Sequence, residues 1–249
     1  MPVALQAGNR TITEAEIIPL LATYQMLPQL LRESVIDQAI DAIVCTPEET
    51  KSACNEFYTQ NQLTTEAARQ AWLERYGMCL EQLEALATRK LRIEKFKQAT
   101  WGNKLESYFL RRKGQLDEAI YSLIRTKDLG VAQEIYFRIQ EGEQSFAELA
   151  SKYSQGPEAL TGGLTGPVEL GVPPQHLAKI LSVSQPGQLW PPFRLGEWLV
   201  IVRLEKLLPA QLDKRMCQRL VNELFEAWLQ EQASIEPRTA ATVIGERQK

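Results

Sequence analysis

Apolar residues recur every three or four positions through most of residues 13–113, the spacing that places them along one face of a helix. Two segments, Thr13-Glu14-Ala15-Glu16 and Thr46-Pro47-Glu48-Glu49, have the capping-box pattern, in which a threonine and a glutamate satisfy free N–H groups where a helix begins. Gly77 can end a helix because glycine adopts the left-handed turn without strain. The pattern predicts a helical region over residues 1–114, with a long amphipathic helix from Cys79 to Trp101.

The pattern changes after residue 114. Residues 119–125 are rich in β-forming side chains and predict a strand, and the apolar run Leu199 to Val202 is typical of a strand covered on both faces. Between them we expect helices at 129–141, 146–154 and 174–183, a glycine-rich loop at 156–171, and closing strands at 188–190 and 198–205. One more amphipathic helix, residues 212–232, follows, and its apolar stripe indicates a core position.

This order of elements predicts an α+β fold, with a small sheet domain inserted between helical parts. The predicted domains are a helical region at 1–114, a sheet domain at 117–206, a returning C-terminal helix at 207–232 and a mobile polar tail at 233–249. A basic cluster on the long helix, Arg89-Lys90-Leu91-Arg92, is interpreted as a solvated helix face.

Composition and charge exclude several functional classes. The 249 residues are 44% hydrophobic and 24% charged, which is ordinary for a folded protein, and the net charge of −3 argues against nucleic acid as the main partner. No apolar run approaches the roughly 20 residues needed to span a bilayer. Because the first residues lack a basic segment followed by an apolar one, we expect no secretory signal and a cytoplasmic location.

The four cysteines, Cys45, Cys54, Cys79 and Cys217, are widely spaced, and the chain contains one histidine. Structural zinc sites need closely spaced cysteine and histidine ligands, so we expect no metal site. The cysteines are interpreted as buried or half-buried thiols in a reducing compartment.

Several short motifs follow one another in the sheet domain. Phe146–Ser154 has the form F-x-x-L-A-x-x-x-S and is followed by Gly162-Gly163 and Gly166; a Pro186-Gly187-Gln188-Leu189 turn and the strand Val200–Glu205 come later. Over about 85 residues this series resembles the parvulin-type (PpiC, rotamase) peptidyl-prolyl cis-trans isomerases. The flanking helices are similar in arrangement to the SurA type of chaperone, in which a helical N-terminal region and a C-terminal helix enclose such a domain.

The resemblance implies binding of polypeptide and catalysis of prolyl isomerisation, a reaction that needs no cofactor and has a barrier of about 18–20 kcal/mol. Most of the family's polar positions hold other residues here. The first-strand histidine falls on Ser122, the aspartate of the glycine loop on Leu164, and the final-strand histidine on Trp198 or Val200. The candidate catalytic residues are therefore Ser122, Thr165 and His176, and the candidate substrate-binding residues are Val172, Leu181, Phe193 and Trp198.

Simpler interpretations exist for several of these residues. His176 can be a surface histidine on a short helix, and Trp198 can be a core residue. The Trp190-Pro191-Pro192-Phe193 segment can be a rim that binds extended peptides or a rigid sheet edge, because proline is confined to edges and bulges.

Three functions remain open from the sequence. The first is a prolyl isomerase of weak or unusual activity, which the resemblance favours. The second is a non-catalytic chaperone or escort that uses the domain to bind polypeptide, and the third is an adaptor of an assembly or secretion machine. The client, its proline content and the oligomeric state are not determined by the sequence.

Overall fold

The computed structural model describes residues 3–233, with side chains described for residues 8–232. The predicted mobile tail therefore lies outside the described residues from position 234. The strands are β1 Val3–Ala7, β2 Arg10–Thr13, β3 Glu118–Thr126, β4 Leu164–Glu169, β5 Leu189–Leu195 and β6 Trp198–Leu208. The α-helices are α1 Glu14–Thr23, α2 Leu27–Ile40, α3 Pro47–Gln60, α4 Glu66–Tyr76, α5 Leu80–Trp101, α6 Leu105–Leu116, α7 Leu129–Gln140, α8 Phe146–Tyr153, α9 Gln175–Val183 and α10 Lys214–Ala233.

The described chain forms two compact units. The first is the described part of Met1–Leu105 and Cys217–Lys249, and the second is Glu106–Met216. Within residues 3–233, no helix is long and apolar enough to cross a bilayer.

The first unit is helical, as predicted, but it begins with strands. β1 and β2 form an antiparallel hairpin around Gly8 and Asn9, where the prediction has a helical region. Gly8 has φ +60°, a conformation that glycine adopts readily, and this permits the tight turn. The predicted capping boxes are present: Thr13 N donates to Glu16 at 2.8 Å, and Thr46 and Glu49 bond each other reciprocally.

The prediction of a solvated basic face on α5 is wrong for two of its arginines. Arg89 pairs with Glu33 and Asp37 of α2 at 2.7 and 2.8 Å. Arg92 donates to the carbonyl oxygens of Ile40 at 2.7 Å and Ile43 at 3.2 Å. Because the last carbonyls of a helix have no partner within it, these bonds fix the C-terminal end of α2 against α5.

The apolar stripe of α10 lies in the core of the first unit, as predicted. Leu220 and Leu229 are fully or almost fully buried. An aromatic cluster joins α10 to α5 through the rings of Phe96, Trp101, Phe225 and Trp228. The buried Lys97 ammonium donates to Glu94 and Asn222 beside this cluster, so its charge is compensated.

The second unit contains a four-stranded antiparallel sheet in the order β4-β3-β6-β5. Successive side chains of a strand point to opposite faces, and each face of this sheet has its own core. Helix α9 covers one face through Leu177, Ile180 and Leu181. Helices α7 and α8 cover the other, where Ile124 and Ile201 are completely buried.

The glycine-rich segment predicted as a loop contains an edge strand. β4 pairs with β3 through Tyr121↔Thr165 and Ser122↔Leu164. The backbones approach closely here, because a Cβ on Gly163 would lie 2.9 Å from the Leu123 carbonyl oxygen. The pairing supplied by β3 thus imposes strand structure on a segment whose local sequence favours turns.

Both edge strands carry proline. Pro167 lies within β4, and Pro191 and Pro192 lie within β5, where the pairing with β6 shifts between Trp190 and Phe193. Proline lacks the N–H that a central strand must donate, so an edge or a bulge is where a sheet tolerates it. Trp190–Phe193 is therefore part of a sheet edge, and the alternative of a peptide-binding rim stays a prediction.

Candidate functional site

The sheet face under α9, called here the α9 face, carries an aromatic surface at its margin. Its centre is a buried apolar cluster that includes Leu123, Val200 and Val202. Trp190, Phe193, Leu195 and Trp198 pack against this cluster and remain partly exposed. In the β5–β6 pairing, Phe193 lies opposite Val200 and Leu195 lies opposite Trp198. The α9 face therefore offers a partly exposed apolar surface at the β5–β6 edge.

A charged pair lies on the β3 side of the same face. Arg125 Nε donates to Glu158 Oε1 at 2.8 Å and Arg125 Nη2 donates to Glu158 Oε2 at 2.7 Å, a bidentate arrangement. The Glu158 side chain is only 5% exposed, whereas that of Arg125 is 32% exposed. Two parallel charge-assisted bonds fix the plane of the guanidinium as well as its position.

The chain segment after α8 folds tightly around this pair. Ser154 Oγ donates to Glu158 Oε1 at 2.6 Å and accepts from the Arg125 backbone N–H at 3.0 Å, and Gln155 N donates to the Arg125 carbonyl oxygen. A Cβ on Gly156 would lie 2.3 Å from a Glu158 carboxylate oxygen and 2.4 Å from Arg125 Nε. Glycine at 156 therefore allows the backbone to close over the ion pair.

Tyr121 and Trp198 flank the pair. Burial of the Tyr121 side chain raises its pKa above the ordinary tyrosine value, and the nearby Glu158 carboxylate acts in the same direction, whereas Arg125 opposes it. The Trp198 ring centre lies 6.0 Å from Arg125 Cζ and 4.7 Å from Lys127 Nζ. Lys127 also pairs with the exposed Glu197 at 2.7 Å. Both cations beside the indole thus have a carboxylate partner.

His176 lies at the start of α9, where its exposed ring contacts Phe193 edge-on at 5.2 Å between centres. Thr165 is paired with Tyr121 across the β4–β3 ladder, so both side chains project to the α9 face. Thr165 therefore lies on the α9 face at the β4 edge, whereas His176 lies on α9 beside Phe193 of β5, the opposite edge strand.

Residues 126–206 match the family model of the rotamase, or PPIC-type PPIASE, domain. These residues include α7, α8, α9, β4, β5 and all but the last two residues of β6. The chain contains a rotamase domain of the parvulin type. The matched segment lies within the sheet domain that the motifs predict.

Two relatives and one solved structure extend the comparison. Chaperone SurA of Cupriavidus pinatubonensis is 26% identical over 193 residues, which cover 67% of this chain and 38% of the relative. Foldase protein PrsA of Halalkalibacterium halodurans is 26% identical over 168 residues, covering 62% of this chain and 50% of the relative. The chain thus spans half or less of the length of these relatives.

The crystal structure of peptidylprolyl isomerase PrsA from Bacillus cereus aligns with 96% of this chain and 95% of its own at a TM-score of 0.51 and 18% identity. At this identity the likeness concerns the fold. The predicted α+β fold, a helical region combined with a rotamase domain, is confirmed.

Ser122, the third predicted catalytic residue, projects from β3 away from the α9 face. It is 4% exposed, and its hydroxyl donates to Glu205 Oε1 at 2.5 Å. Arg203 donates to the same carboxylate oxygen at 2.9 Å and lies over the Phe146 ring at 5.1 Å. Ser122 therefore belongs to a polar cluster beside α8, and the structure does not bring it together with Thr165 and His176.

The predicted substrate-binding residues occupy different environments. Phe193 and Trp198 are half-buried at the margin of the rotamase domain's α9 face, which leaves part of each ring accessible to a peptide. Leu181 is completely buried in the core under that face, so it supports the surface without contacting a ligand in this conformation. Val172 is 74% exposed on the connection between β4 and α9.

Arg125 and Glu158 are not indicated by any of the sequence motifs. They lie 33 positions apart in the chain, and the fold brings them together. An arginine at the end of the apolar strand 119–125 is the signal that could have indicated Arg125, since a charged residue in a buried strand needs a partner. No comparable signal marks Glu158, which follows a proline in a segment predicted as loop.

The cysteines and acidic residues offer no obvious metal site in the part of the chain that the structure describes, where no cluster of three or more His, Cys, Asp or Glu could hold an ion. Cys54 is buried, and Cys45 and Cys217 are half-buried, as predicted. The prediction is wrong for Cys79, which is exposed at the N-terminal cap of α5.

Proposed function

We propose that this protein is a foldase or chaperone that binds unfolded or extended polypeptide, with the α9 face of its rotamase domain as the binding surface. The observation that carries the proposal is the row of partly exposed aromatic side chains, Phe193 and Trp198 with His176, on a rigid sheet within a rotamase domain. Aromatic side chains supply a large contact area at a low cost in conformational entropy. The names of the two relatives, a chaperone and a foldase, support the same function.

The isomerase activity that we propose is weak or non-standard. A prolyl bond twists when a site holds the proline ring and stabilises an amide that has lost its resonance. The Ser122 hydroxyl is bonded to Glu205. Leu164 occupies the position of the family's loop aspartate, and Trp198 or Val200 occupies that of its final-strand histidine. The proposed clients include proline-containing segments, because an apolar aromatic surface suits the proline ring as well as other apolar side chains.

A prolyl-isomerisation assay on peptides with different residues before proline, together with a refolding assay limited by proline isomerisation, tests this proposal. We expect a small acceleration by the full chain that Trp198→Leu lowers and Ser122→Ala leaves unchanged. A failure to accelerate either reaction would remove the isomerase activity. A failure to bind any of the peptides would refute polypeptide binding at the α9 face.

The second candidate is a chaperone without isomerase activity, and the apolar surface of the first unit favours it. Ile18 of α1 and Leu30 and Leu31 of α2 are each at least half exposed, and Tyr24 and Met26 between these helices are also exposed. Such a grouping of exposed apolar side chains is typical of an interaction surface.

Suppression of aggregation of heat-denatured citrate synthase separates the two candidates. We expect the double substitution Leu30→Ser and Leu31→Ser to weaken suppression, with isomerisation unchanged. Leu160→Ser is the matched control, because Leu160 is an exposed leucine of the second unit. Equal suppression by the double variant and the wild type would exclude a role for the α1–α2 surface.

We also propose that the protein works in the cytoplasm. Cys45, Cys54 and Cys79 carry free thiols, as is usual for proteins of a reducing compartment. Cell fractionation with an antibody against the chain tests this, and recovery outside the cytoplasm would refute it.

A further inference from the structure

Arg125 combines a fixed position with unused hydrogen-bonding capacity. A guanidinium has five N–H donors, and the bidentate bond to Glu158 uses one on Nε and one on Nη2. The three remaining donors, two on Nη1 and one on Nη2, lie on the edges of the plane away from Glu158. Among the described residues these donors have no partner, and the side chain is 32% exposed.

These donors border an aromatic surface. Arg125 Cζ lies 6.0 Å from the centre of the Trp198 ring, and Trp198 is half-buried at the margin of the α9 face. A peptide that packs an apolar side chain against Trp198 therefore brings its backbone within reach of a guanidinium that is already oriented. Preorganised donors lose little entropy on binding, which makes such a contact effective.

The charges around Arg125 favour a neutral hydrogen-bond acceptor in the bound ligand. Glu158 compensates Arg125, and Glu197 compensates Lys127, so the two cations next to Trp198 are balanced by two carboxylates. A bound carboxylate or phosphate would add uncompensated negative charge near the buried Glu158 side chain. A neutral acceptor with a strong lone pair, such as a main-chain carbonyl oxygen, meets the geometry without that penalty.

We propose that Arg125 binds a main-chain carbonyl oxygen of the client peptide, while Trp198 contacts the adjacent apolar side chain. Glu158 is the positioning residue, and the Ser154 hydroxyl holds the carboxylate in turn. The inference rests on the proposed polypeptide binding at the α9 face and adds the group that fixes the register of the backbone.

The experiment uses the full chain and the capped hexapeptide Ala-Ala-Phe-Pro-Ala-Ala, with each carbonyl replaced in turn by a thioamide, a weaker acceptor. In the wild type we expect one thioamide to weaken binding by about tenfold, the size of a charge-assisted hydrogen bond. In the double variant Arg125→Met with Glu158→Leu, which removes the pair without leaving a buried charge, the same thioamide should have no effect. The control is Arg194→Met, because Arg194 is an exposed arginine of β5 outside the Arg125–Glu158 pair. The thioamide should weaken binding to this variant as much as it weakens binding to the wild type.

A second measurement needs no substitution in the binding protein. The Arg125 Nε–H signal in an NMR spectrum, assigned by its loss in Arg125→Lys, should shift on titration with the hexapeptide. The role of Arg125 is refuted, and peptide binding stands, on the following combined result. The hexapeptide shifts the Trp198 indole signal but not the Arg125 Nε–H signal, and each thioamide changes the affinity of the wild type and of the double variant equally. If the hexapeptide does not bind the wild type, the proposed binding surface fails together with this inference.

Discussion

Removal of the Arg125 charge should destabilise the rotamase domain far more than removal of a neighbouring exposed charge. Arg125→Met would leave the Glu158 carboxylate, which is 5% exposed, with Ser154 as its remaining side-chain donor. Breaking a buried ion pair by removing one partner costs about 3–5 kcal/mol. Because the Arg125 side chain is 32% exposed and partly screened by water, we expect a loss near the lower end, about 3 kcal/mol.

Lys127→Met is the matched control, since Lys127 directly follows the end of β3 and its bond to Glu197 has the same 2.7 Å length. Both partners are more than half exposed, and such pairs contribute about 0–1 kcal/mol. Hydrogen exchange of β3 amides in the full chain measures the opening of the domain directly. We expect exchange on the order of 100-fold faster in Arg125→Met and nearly unchanged in Lys127→Met, since 1.36 kcal/mol corresponds to a factor of ten.

The double variant Arg125→Met with Glu158→Leu completes the comparison. Removing both charges leaves no unpaired carboxylate, and replacement of a buried pair by apolar residues is often neutral. We therefore expect protection of β3 close to that of the wild type. If Arg125→Met accelerates exchange no more than Lys127→Met, the Arg125–Glu158 pair does not stabilise the segment after α8, and burial of Glu158 does not make its pairing necessary.

Three further predictions concern packing, backbone conformation and pH. Gly163→Ala places a Cβ 2.9 Å from the Leu123 carbonyl oxygen at φ +86°, so the urea midpoint should fall well below that of Gly187→Ala, where φ is +85° and the space is open. Leu181→Ala should cost about 2–5 kcal/mol by urea denaturation, because the side chain is fully buried, whereas Val172→Ala should stay within about 0.5 kcal/mol. Because the pKa of Tyr121 is raised in the folded state, the stability that its neutral phenol contributes is fully present below the unfolded pKa of tyrosine, near 10. This contribution declines as pH rises towards the folded pKa. Tyr121→Phe should flatten this decline in melting temperatures measured from pH 9 to 11, and an unchanged slope would contradict the assignment.

Elements with a strong local signal could be predicted from the sequence. The helix starts at Thr13 and Thr46 follow from short-range side-chain bonds, and β3 follows from its β-forming run. β4 could not be predicted in this way, because its glycines and proline favour turns and its strand conformation depends on the ladder with β3. The pairing of Arg89 could not be predicted for the same reason, because its partners on α2 lie more than 50 positions earlier in the chain.

The candidate site shows a similar division. The family motifs located the domain and indicated Phe193 and Trp198, which do lie at an accessible margin. The assignment of Ser122 to the same site depended on position in the motif, but strand alternation and the bond to Glu205 place it elsewhere. The Arg125–Glu158 pair is a property of the folded chain, since the two residues lie 33 positions apart in the sequence.

The prolines of the two edge strands have a consequence for a protein that handles unfolded chains. An exposed sheet edge normally presents N–H and C=O groups that recruit any extended segment as an additional strand. Pro167 in β4 and Pro191 and Pro192 in β5 interrupt these rows at both ends of the sheet. The sheet edges are thereby poorly suited to β-augmentation, so an extended polypeptide bound as proposed at the α9 face would not be added to the sheet as a further strand.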